Sequence, residues 1–408
     1  MKRLNSILAA AAVCTGLAYA PVAGAAELTP QQVAGDTAQS TISPLEPTPE
    51  IEGKSWYKKY KDDARVEKLE ATSPAMNGRK IPLAVVRAQH ENRPTVYLLN
   101  GAGGAEQDMD WLKLSDAVDF YHSKNVNVVI PQAGAFSYYT DWVSEPNSQY
   151  LKGPQKWETF LTKELPGAIE GHIKADNHRA IAGMSMSATS SLLLAEHNPG
   201  FYNAVGSFSG CASTSRPLPR LYTQLTVNRG GGSADQMWGA MGSEYNVYND
   251  ALVNATPKNL GPSETYVSVN SGLGGANDWG AKGSSTLIVE GGVIEAAMSS
   301  CTHDLKAKMD SQGMKADWNF RNTGTHSWPG WRDDIFSSWK TFERGFNKDA
   351  AEAPAEPEVK PNELSIDAPQ AQENAQIKDA PSAADQSPDK DFVEGKEAEA
   401  PEAAGAAE

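Results

Sequence analysis

Short apolar runs alternate along the chain with longer segments that have a helical pattern of apolar and polar positions. The apolar runs predict strands at Ile81–Arg87, Thr95–Leu99, Val126–Ile130, Arg179–Gly183, Ala204–Phe208, Tyr266–Val269 and Asp317–Arg321. The segments between them predict helices at Asp110–His122, Trp157–Ala168, Ser187–His197 and Val293–Ser311. Strands and helices that alternate in this way are typical of the α/β class, in which a mostly parallel central sheet has helices on both faces.

The first 25 residues have the pattern of an export signal. Lys2 and Arg3 supply a positive start, Ile7–Ala18 is a short apolar run, and Ala23-Gly24-Ala25 is a small-x-small cleavage site. The run is too short for a membrane-spanning helix, and no later stretch reaches 18 apolar residues. The sequence therefore predicts a secreted or cell-envelope protein, with residues 1–25 as its signal peptide.

Composition divides the rest of the chain into three parts. Residues 26–52 lack a helical or strand period and are predicted to be a flexible lead-in. Residues 53–347 hold all ten tryptophans and are long enough for one α/β catalytic domain. Residues 348–408, rich in Ala, Glu and Pro, cannot bury enough apolar surface to offset their ordering entropy and are predicted to be disordered.

The negative charge of the chain is concentrated in this predicted tail. The tail has 16 acidic and 5 basic residues, a net charge of −11 out of a total of −15, so the rest of the chain is nearly neutral. A body without clusters of Lys and Arg excludes a nucleic-acid binder, whose affinity depends on neutralising phosphates. The tail is predicted either to contact the cell envelope or to be a solubilising segment without a partner.

The cysteines predict one disulfide bond. Removal of the signal peptide removes Cys14 and leaves Cys211 and Cys301. Two cysteines in an exported chain favour a bridge, and two buried free thiols are the alternative.

The stretch from Ala180 to Ala188 predicts a catalytic serine. An apolar strand runs into Gly183-x-Ser185-x-Ser187 and then into a helix of small and apolar residues. A sharp strand-to-helix turn needs small residues two positions before and after the nucleophile, and both positions have them. Ser185 is therefore the predicted nucleophile, and an N-cap serine in an ordinary strand-to-helix turn is the alternative.

A predicted oxyanion hole accompanies this serine. One donor is the N–H of Met186 at the start of the helix. The second is the N–H of Ala102 in Leu98-Leu99-Asn100-Gly101-Ala102-Gly103-Gly104, where a strand ends and glycines allow a close approach of the backbone. A plain glycine-rich turn is the alternative reading of this loop.

Chain order selects the catalytic histidine, because hydrolases with this elbow carry serine, acid and histidine in that order. His197, His303 and His326 follow Ser185. His197 lies on the helix that starts at the elbow, and His303 lies inside a second helical pattern. His326 follows a predicted strand in a loop and is the predicted base.

The acid of the triad is less clearly marked in the sequence. Glu295 begins the last long helical pattern, on the same helix as Cys301, and is the predicted acid. Glu290 is its competitor, and Asp278 is a more distant third candidate.

At these residues the chain resembles the mycolyltransferase family, which comprises the antigen 85 complex and its corynebacterial relatives. The resemblance extends from about residue 55 to residue 346 and is carried by Gly183-Met184-Ser185-Met186-Ser187-Ala188, Tyr138-Tyr139-Thr140-Asp141-Trp142, Lys156-Trp157-Glu158-Thr159-Phe160-Leu161, Met237-Trp238-Gly239 and Asn322-Thr323-Gly324-Thr325-His326-Ser327-Trp328. It implies an α/β-hydrolase fold without metal or cofactor and a triad of Ser185, Glu295 and His326.

The resemblance also implies a substrate. The family moves mycolyl groups between trehalose mono- and dimycolates and acceptors such as cell-wall arabinogalactan. The predicted substrate-binding residues are Asn100, Asp110, Trp238, Ser327 and Trp328. The family's Asp-Gly-x-Arg reads Asn100-Gly101-Ala102-Gly103 here, so both the acid and the arginine are absent and the sugar site is expected to differ. A secreted serine esterase and a non-catalytic envelope-binding protein are the alternative functions.

Overall fold

The structure, a computed structural model, describes residues 29–33, 38–279, 285 and 287–348. The predicted export signal and the tail beyond residue 348 lie outside the described residues. None of the helices in the described ranges is both long and apolar enough to cross a lipid bilayer.

The described strands form one sheet. They are β1 (Ile42–Pro44), β2 (Val66–Ser73), β3 (Arg79–Val86), β4 (Thr95–Leu99), β5 (Asn127–Pro131), β6 (Arg179–Met184), β7 (Ala204–Phe208), β8 (Glu264–Val269) and β9 (Asp317–Phe320). Their order across the sheet is β1-β2-β3-β5-β4-β6-β7-β8-β9. The pairs β1–β2, β2–β3 and β3–β5 are antiparallel. The remaining strands of the sheet, in the order β5-β4-β6-β7-β8-β9, are all parallel to one another. The prediction of a mostly parallel sheet is confirmed.

The helices of the described residues cover both faces of this sheet. Numbered in chain order, they are α1 (Pro30–Val33), α2 (Pro49–Gly53), α3 (Ser55–Tyr60), α4 (Trp111–Leu114), α5 (Ala117–Ser123), α6 (Trp157–Thr159), α7 (Leu165–Ile173), α8 (Met186–His197), α9 (Pro217–Arg229), α10 (Ala234–Trp238), α11 (Glu244–Tyr248), α12 (Ala251–Asn254), α13 (Gly292–Ser311), α14 (Trp328–Ser337) and α15 (Trp339–Phe346). Shorter turns are the 3₁₀ segments Pro74–Met76 and Ala105–Gln107 and the π segments Phe160–Glu164 and Leu287–Gly291.

Alternation along the central strands produces two apolar cores. In β4, Tyr97 and Leu99 join the core that is packed against α7 and α8, whereas Val96 and Leu98 join the core packed against α4, α5, α14 and α15. Successive side chains of a strand point to opposite faces, and every residue of β4 is buried. A mostly apolar run such as Thr95–Leu99, buried along its whole length, therefore indicates a strand with a core on each side.

The predicted flexible lead-in over residues 26–52 is wrong for the part that the structure describes. Ile42 pairs with Ala71, so β1 extends the sheet at its antiparallel edge. Val33 is buried in the core, and Thr48 caps α2 by accepting a hydrogen bond from the N–H of Ile51. A three-residue strand at an edge takes its stability from its neighbour and leaves no period in the sequence.

The helix predicted over Asp110–His122 is divided into α4 and α5. Ser115 is extended, with φ −145° and ψ 176°. Its hydroxyl donates to the carbonyl of Trp111 and accepts from the N–H of Ala117. Serine side chains that bond to the nearby backbone compete with the helical hydrogen bonds, which explains the break.

The predicted disulfide between Cys211 and Cys301 is confirmed, with Cα atoms 4.9 Å apart. It joins the loop after β7 to the middle of α13.

We expect the Cys211→Ala, Cys301→Ala double variant to unfold at a lower concentration of urea. Its free energy of unfolding should fall by about 4 kcal/mol, because the bridge closes a loop of 90 residues. Urea unfolding of both proteins measures this difference. Equal midpoints would show that the bridge does not constrain the unfolded chain.

Candidate active site

Ser185 lies at a sharp turn between β6 and α8. Its backbone is left-handed, with φ 55° and ψ −119°, which is strained for a residue with a side chain. Gly183 makes this turn possible, because a Cβ there would lie 2.4 Å from the carbonyl oxygen of Ser187. The N–H of Ser185 donates to the carbonyl of Phe208, which fixes the elbow to the neighbouring strand at 2.8 Å.

His326 lies in the loop between β9 and α14, and its imidazole reaches the serine. The distance from Nε2 to Ser185 Oγ is 2.8 Å. The backbone N–H of His326 donates to the carbonyl of Gly291 at 3.0 Å, and the ring of Trp331 packs edge-on against the imidazole at 5.0 Å. These two contacts hold the backbone and the imidazole ring of His326 in place.

Glu295 completes this hydrogen-bonded chain from the first turn of α13. Its Oε2 lies 2.6 Å from Nδ1 of His326, and its side chain is fully buried. Its Oε1 accepts from the hydroxyl of Ser209 and the N–H of Asn270, both at 2.7 Å. With Oε1 occupied by these two donors, Oε2 is directed at the imidazole and requires a proton on Nδ1.

Ser209 and Asn270 were not predicted from the sequence, although a signal for them exists. Each is the first residue after a parallel strand, β7 and β8 respectively. The carboxyl ends of parallel strands meet at one edge of the sheet, where α/β proteins build their sites. Polar residues at these two positions could therefore have been named as partners of the acid.

The two other candidate acids occupy different places. Glu290 is exposed in the π segment before α13. Asp278 is buried, and its Oδ1 accepts from the hydroxyls of Thr325 at 2.8 Å and Ser327 at 3.3 Å. Asp278 thus anchors the loop that carries His326, but its carboxylate bonds the two neighbours of the histidine rather than the imidazole.

The two predicted oxyanion donors follow neighbouring strands, with Ala102 in the loop after β4 and Met186 at the start of α8 after β6. β4 and β6 are adjacent and parallel, and Leu99 pairs with Gly183, so the loops that follow them leave the sheet side by side. The hydroxyl of Ser187 donates to the carbonyl of Leu99 at 3.0 Å and ties the two loops together. Met186 is the first residue of α8, so the helix does not use its N–H. Ala102 lies three residues beyond β4.

Two of the predicted sugar-binding side chains are buried and make hydrogen bonds to the backbone near the loop between β4 and α4. Asn100 is fully buried, and it donates to the carbonyl of Pro131 and accepts from the N–H of Trp111. Asp110 is also fully buried and caps α4 by accepting from the first N–H groups of that helix. Burial raises the pKa of Asp110 to about 6. Both side chains are buried and bonded within the protein, and their contact with a sugar stays a prediction.

The other three predicted sugar-binding residues are also buried, and their contact with a sugar likewise stays a prediction. Trp238 is fully buried, and its indole N–H donates to the hydroxyl of Thr140 at 3.2 Å. Trp328 is 1% exposed and packs edge-on against Trp331 at 5.5 Å. Ser327 is 3% exposed, with its hydroxyl bonded in the loop described above. The sequence motifs identify the residue types at these positions, but they do not indicate whether the side chains are buried.

A glutamine occupies the space beside Gly103, where the family pattern has an arginine. A Cβ on Gly103 would lie 2.4 Å from Oε1 of Gln107. The amide of Gln107 also donates to the hydroxyl of Tyr150 at 3.1 Å. The arginine of the family pattern is therefore absent, and the neutral side chain of Gln107 occupies the space that a Cβ at position 103 would need.

Metal ligands are not grouped anywhere in the described ranges. No set of three or more His, Cys, Asp or Glu side chains there is arranged to hold an ion. The chemistry that the described site can perform on its own is nucleophilic attack by a serine assisted by a buried His–Glu pair.

Comparison with known proteins gives consistent matches. Residues 73–342 match the Esterase family. The chain is 32% identical over 272 residues to the diacylglycerol acyltransferase/mycolyltransferase Ag85A of Mycobacterium tuberculosis, covering 65% of this chain and 77% of the relative. It is 30% identical over 276 residues to the Ag85C enzyme of Mycobacterium leprae, covering 66% and 79%. The crystal structure of Mycobacterium tuberculosis MPT51 (FbpC1) superposes with a TM-score of 0.57 at 23% identity, covering 69% of this chain and 99% of that one. This likeness confirms the predicted α/β-hydrolase fold.

Proposed function

Since the chain belongs to the Esterase family and, within it, to the mycolyltransferases, we propose that it transfers mycolyl groups from trehalose monomycolate through an acyl-enzyme on Ser185. The acceptor is a sugar hydroxyl, either on a second trehalose monomycolate or on cell-wall arabinogalactan. The observation that carries this proposal is the continuous hydrogen-bonded chain from Ser185 through His326 to the buried Glu295.

The first half of the reaction acylates the serine. His326 Nε2 takes the proton of Ser185 as Oγ attacks the ester carbonyl, and Glu295 stabilises the imidazolium through Nδ1–H. The negative oxygen of the tetrahedral intermediate accepts hydrogen bonds from the N–H groups of Met186 and Ala102. The intermediate collapses when the ester C–O bond breaks, and the trehalose oxygen leaves with the proton held by His326.

The second half transfers the acyl group. His326 removes the proton of the acceptor hydroxyl, whose oxygen attacks the acyl-enzyme, and Ser185 Oγ recovers the proton as it leaves. Water competes for the acyl-enzyme, so an acceptor site that positions a sugar favours transfer over hydrolysis. This reaction takes place outside the cytoplasm if the export signal acts as predicted.

The test is to incubate the purified protein with trehalose monomycolate and to resolve the lipid products. We expect trehalose dimycolate and free trehalose in equal amounts, because each transfer releases one sugar. The Ser185→Ala variant serves as the control and should release neither. Absence of both products with the unchanged enzyme would contradict the proposal.

One observation favours a second candidate, a secreted esterase that releases free mycolic acid. Gln107 fills the space beside Gly103, so this chain lacks the charged group that the family pattern has next to the oxyanion loop. A weaker hold on the sugar would leave more of the acyl-enzyme to water. The same assay separates the two functions, because an esterase yields free acid and trehalose without dimycolate.

A further inference from the structure

A strained segment follows β5 and lies beside the oxyanion loop. Gly134 has φ 105°, and Phe136, Tyr138 and Tyr139 have φ values of 60°, 54° and 45°. Bulky residues in this left-handed region cost of the order of 1–3 kcal/mol each and persist only where the surroundings hold them. This strained segment lies next to the two proposed oxyanion donors, which indicates that it does more than connect two strands.

The beginning of this segment is bonded to the loop that carries Ala102. The N–H of Phe136 donates to the carbonyl of Ala102 at 2.8 Å. The N–H groups of Gly134 and Ala135 both donate to Oε1 of Glu106, at 2.7 and 2.9 Å. One carboxylate oxygen thus holds two consecutive amides of the strained segment, and the third amide holds the oxyanion loop.

Glu106 is packed into its own loop. A Cβ on Gly104 would lie 2.8 Å from Oε2 of Glu106, and Gly104 has φ +54°, so this glycine makes room for the carboxylate. Burial raises the pKa of Glu106, and hydrogen bonds from Ala135 and Gly134 act in the opposite direction. The backbone carbonyl of Glu106 also accepts from the ammonium group of Lys54 at 3.0 Å.

The far end of the segment is bonded to α8, whose first residue is the other donor. The N–H of Tyr138 donates to Sδ of Met186 at 3.4 Å. The hydroxyl of Ser190 donates to the carbonyl of Tyr138 at 2.6 Å. The side chains of Phe136, Tyr138 and Tyr139 are buried, so the segment is also fixed from the core.

We propose that Glu106 is a positioning residue for the oxyanion hole, which sets the distance between the N–H groups of Ala102 and Met186 through the strained segment 134–139. This proposal rests on the function proposed above, since it assigns no new chemistry. Loss of the Glu106 carboxylate releases the amides of Gly134 and Ala135. The strained backbone can then relax and carry Ala102 away from the position where the oxyanion forms.

The test compares Glu106→Ala and Glu106→Gln with a matched control from the same loop, Asp108→Ala. Asp108 also accepts a backbone hydrogen bond, from the N–H of Ser55 at 2.9 Å, but it does not touch the strained segment. The substrate is p-nitrophenyl butyrate. The second probe is an alkyl trifluoromethyl ketone, whose adduct with Ser185 carries an oxyanion.

We expect Glu106→Ala to lower kcat by about 10- to 100-fold and to weaken binding of the ketone by the same factor. This loss is smaller than the loss in kcat on removal of one oxyanion-hole donor, because the N–H of Ala102 is displaced and not removed. KM should change little, because the ground-state ester does not use the hole fully. Glu106→Gln keeps an acceptor oxygen at the same reach and should stay within about 3-fold of the unchanged enzyme. Asp108→Ala should lose thermal stability without a parallel change in kcat and ketone affinity.

A second variant keeps the test decisive if Glu106→Ala does not fold. Ser190→Ala removes the bond at the far end of the segment and should also lower kcat and ketone affinity together. If the Glu106 and Ser190 variants lose stability only, like Asp108→Ala, the positioning role is overturned. If the unchanged enzyme has no ester turnover, or Ser185→Ala retains it, the proposed function fails first and this inference fails with it.

Discussion

Ser185→Ala abolishes acyl transfer, with turnover expected to fall by about 10⁴-fold or more while the protein stays folded. The substitution removes the oxygen that becomes esterified and leaves His326 with no proton to accept. It should not disturb the elbow, because alanine keeps the Cβ and the backbone strain that serine has at φ 55°. Product formation from trehalose monomycolate measures the loss, and far-UV circular dichroism and the melting temperature measure folding.

An exposed serine provides the matched control for this experiment. Ser123 lies at the end of α5, and its hydroxyl bonds only the preceding turn in the contacts described. Ser123→Ala should transfer acyl groups at the unchanged rate. Turnover by Ser185→Ala close to that of Ser123→Ala would remove Ser185 from the mechanism.

Glu295→Gln has the second largest expected effect, a loss of about 10²- to 10⁴-fold in kcat. Both oxygens of Glu295 accept hydrogen bonds, from His326 on one side and from Ser209 and Asn270 on the other. An amide has only one acceptor oxygen, so its NH₂ group must face either the imidazole N–H or these two donors. The imidazole loses its orientation or its correct tautomer, and the developing positive charge loses its partner.

Glu290→Gln is the matched control for the acid, because the same change is made five residues away on the surface. We expect its kcat to stay within about 2-fold of the unchanged enzyme, since surface substitutions rarely propagate to a site. Single-turnover acylation with p-nitrophenyl butyrate compares the two variants directly. A larger loss from Glu290→Gln than from Glu295→Gln would transfer the role of the acid to Glu290.

The parts of the site that could be predicted from the sequence are those whose geometry is local. Gly183, Ser185 and Ser187 lie on one turn, and only small side chains fit there, so the elbow can be recognised without its surroundings. The buried strands are recognised for a related reason, since β4 and β7 are mostly apolar, are buried on both faces and have the predicted bounds.

The parts that escaped prediction depend on packing between distant segments. The burial of Asn100 and Trp238 is set by contacts with Pro131 and Thr140, which no local pattern encodes. The strand β1 exists because β2 offers it an edge. Glu106 follows β4, but its carboxylate bonds the loop that follows β5. A glutamate at this position in the sequence therefore does not by itself predict these hydrogen bonds.

The spacing of Ser185, Glu295 and His326 along the chain has a consequence for the order of synthesis. The hydrogen bond from Ser185 to His326 joins residues 141 positions apart, and that from His326 to Glu295 joins residues 31 apart. A growing chain emerges from its N-terminus, so the elbow between β6 and α8 is complete long before β9 brings the imidazole to it. A polypeptide interrupted before residue 326 lacks the imidazole that activates Ser185, so reactivity towards esters is acquired only when nearly the whole domain has emerged.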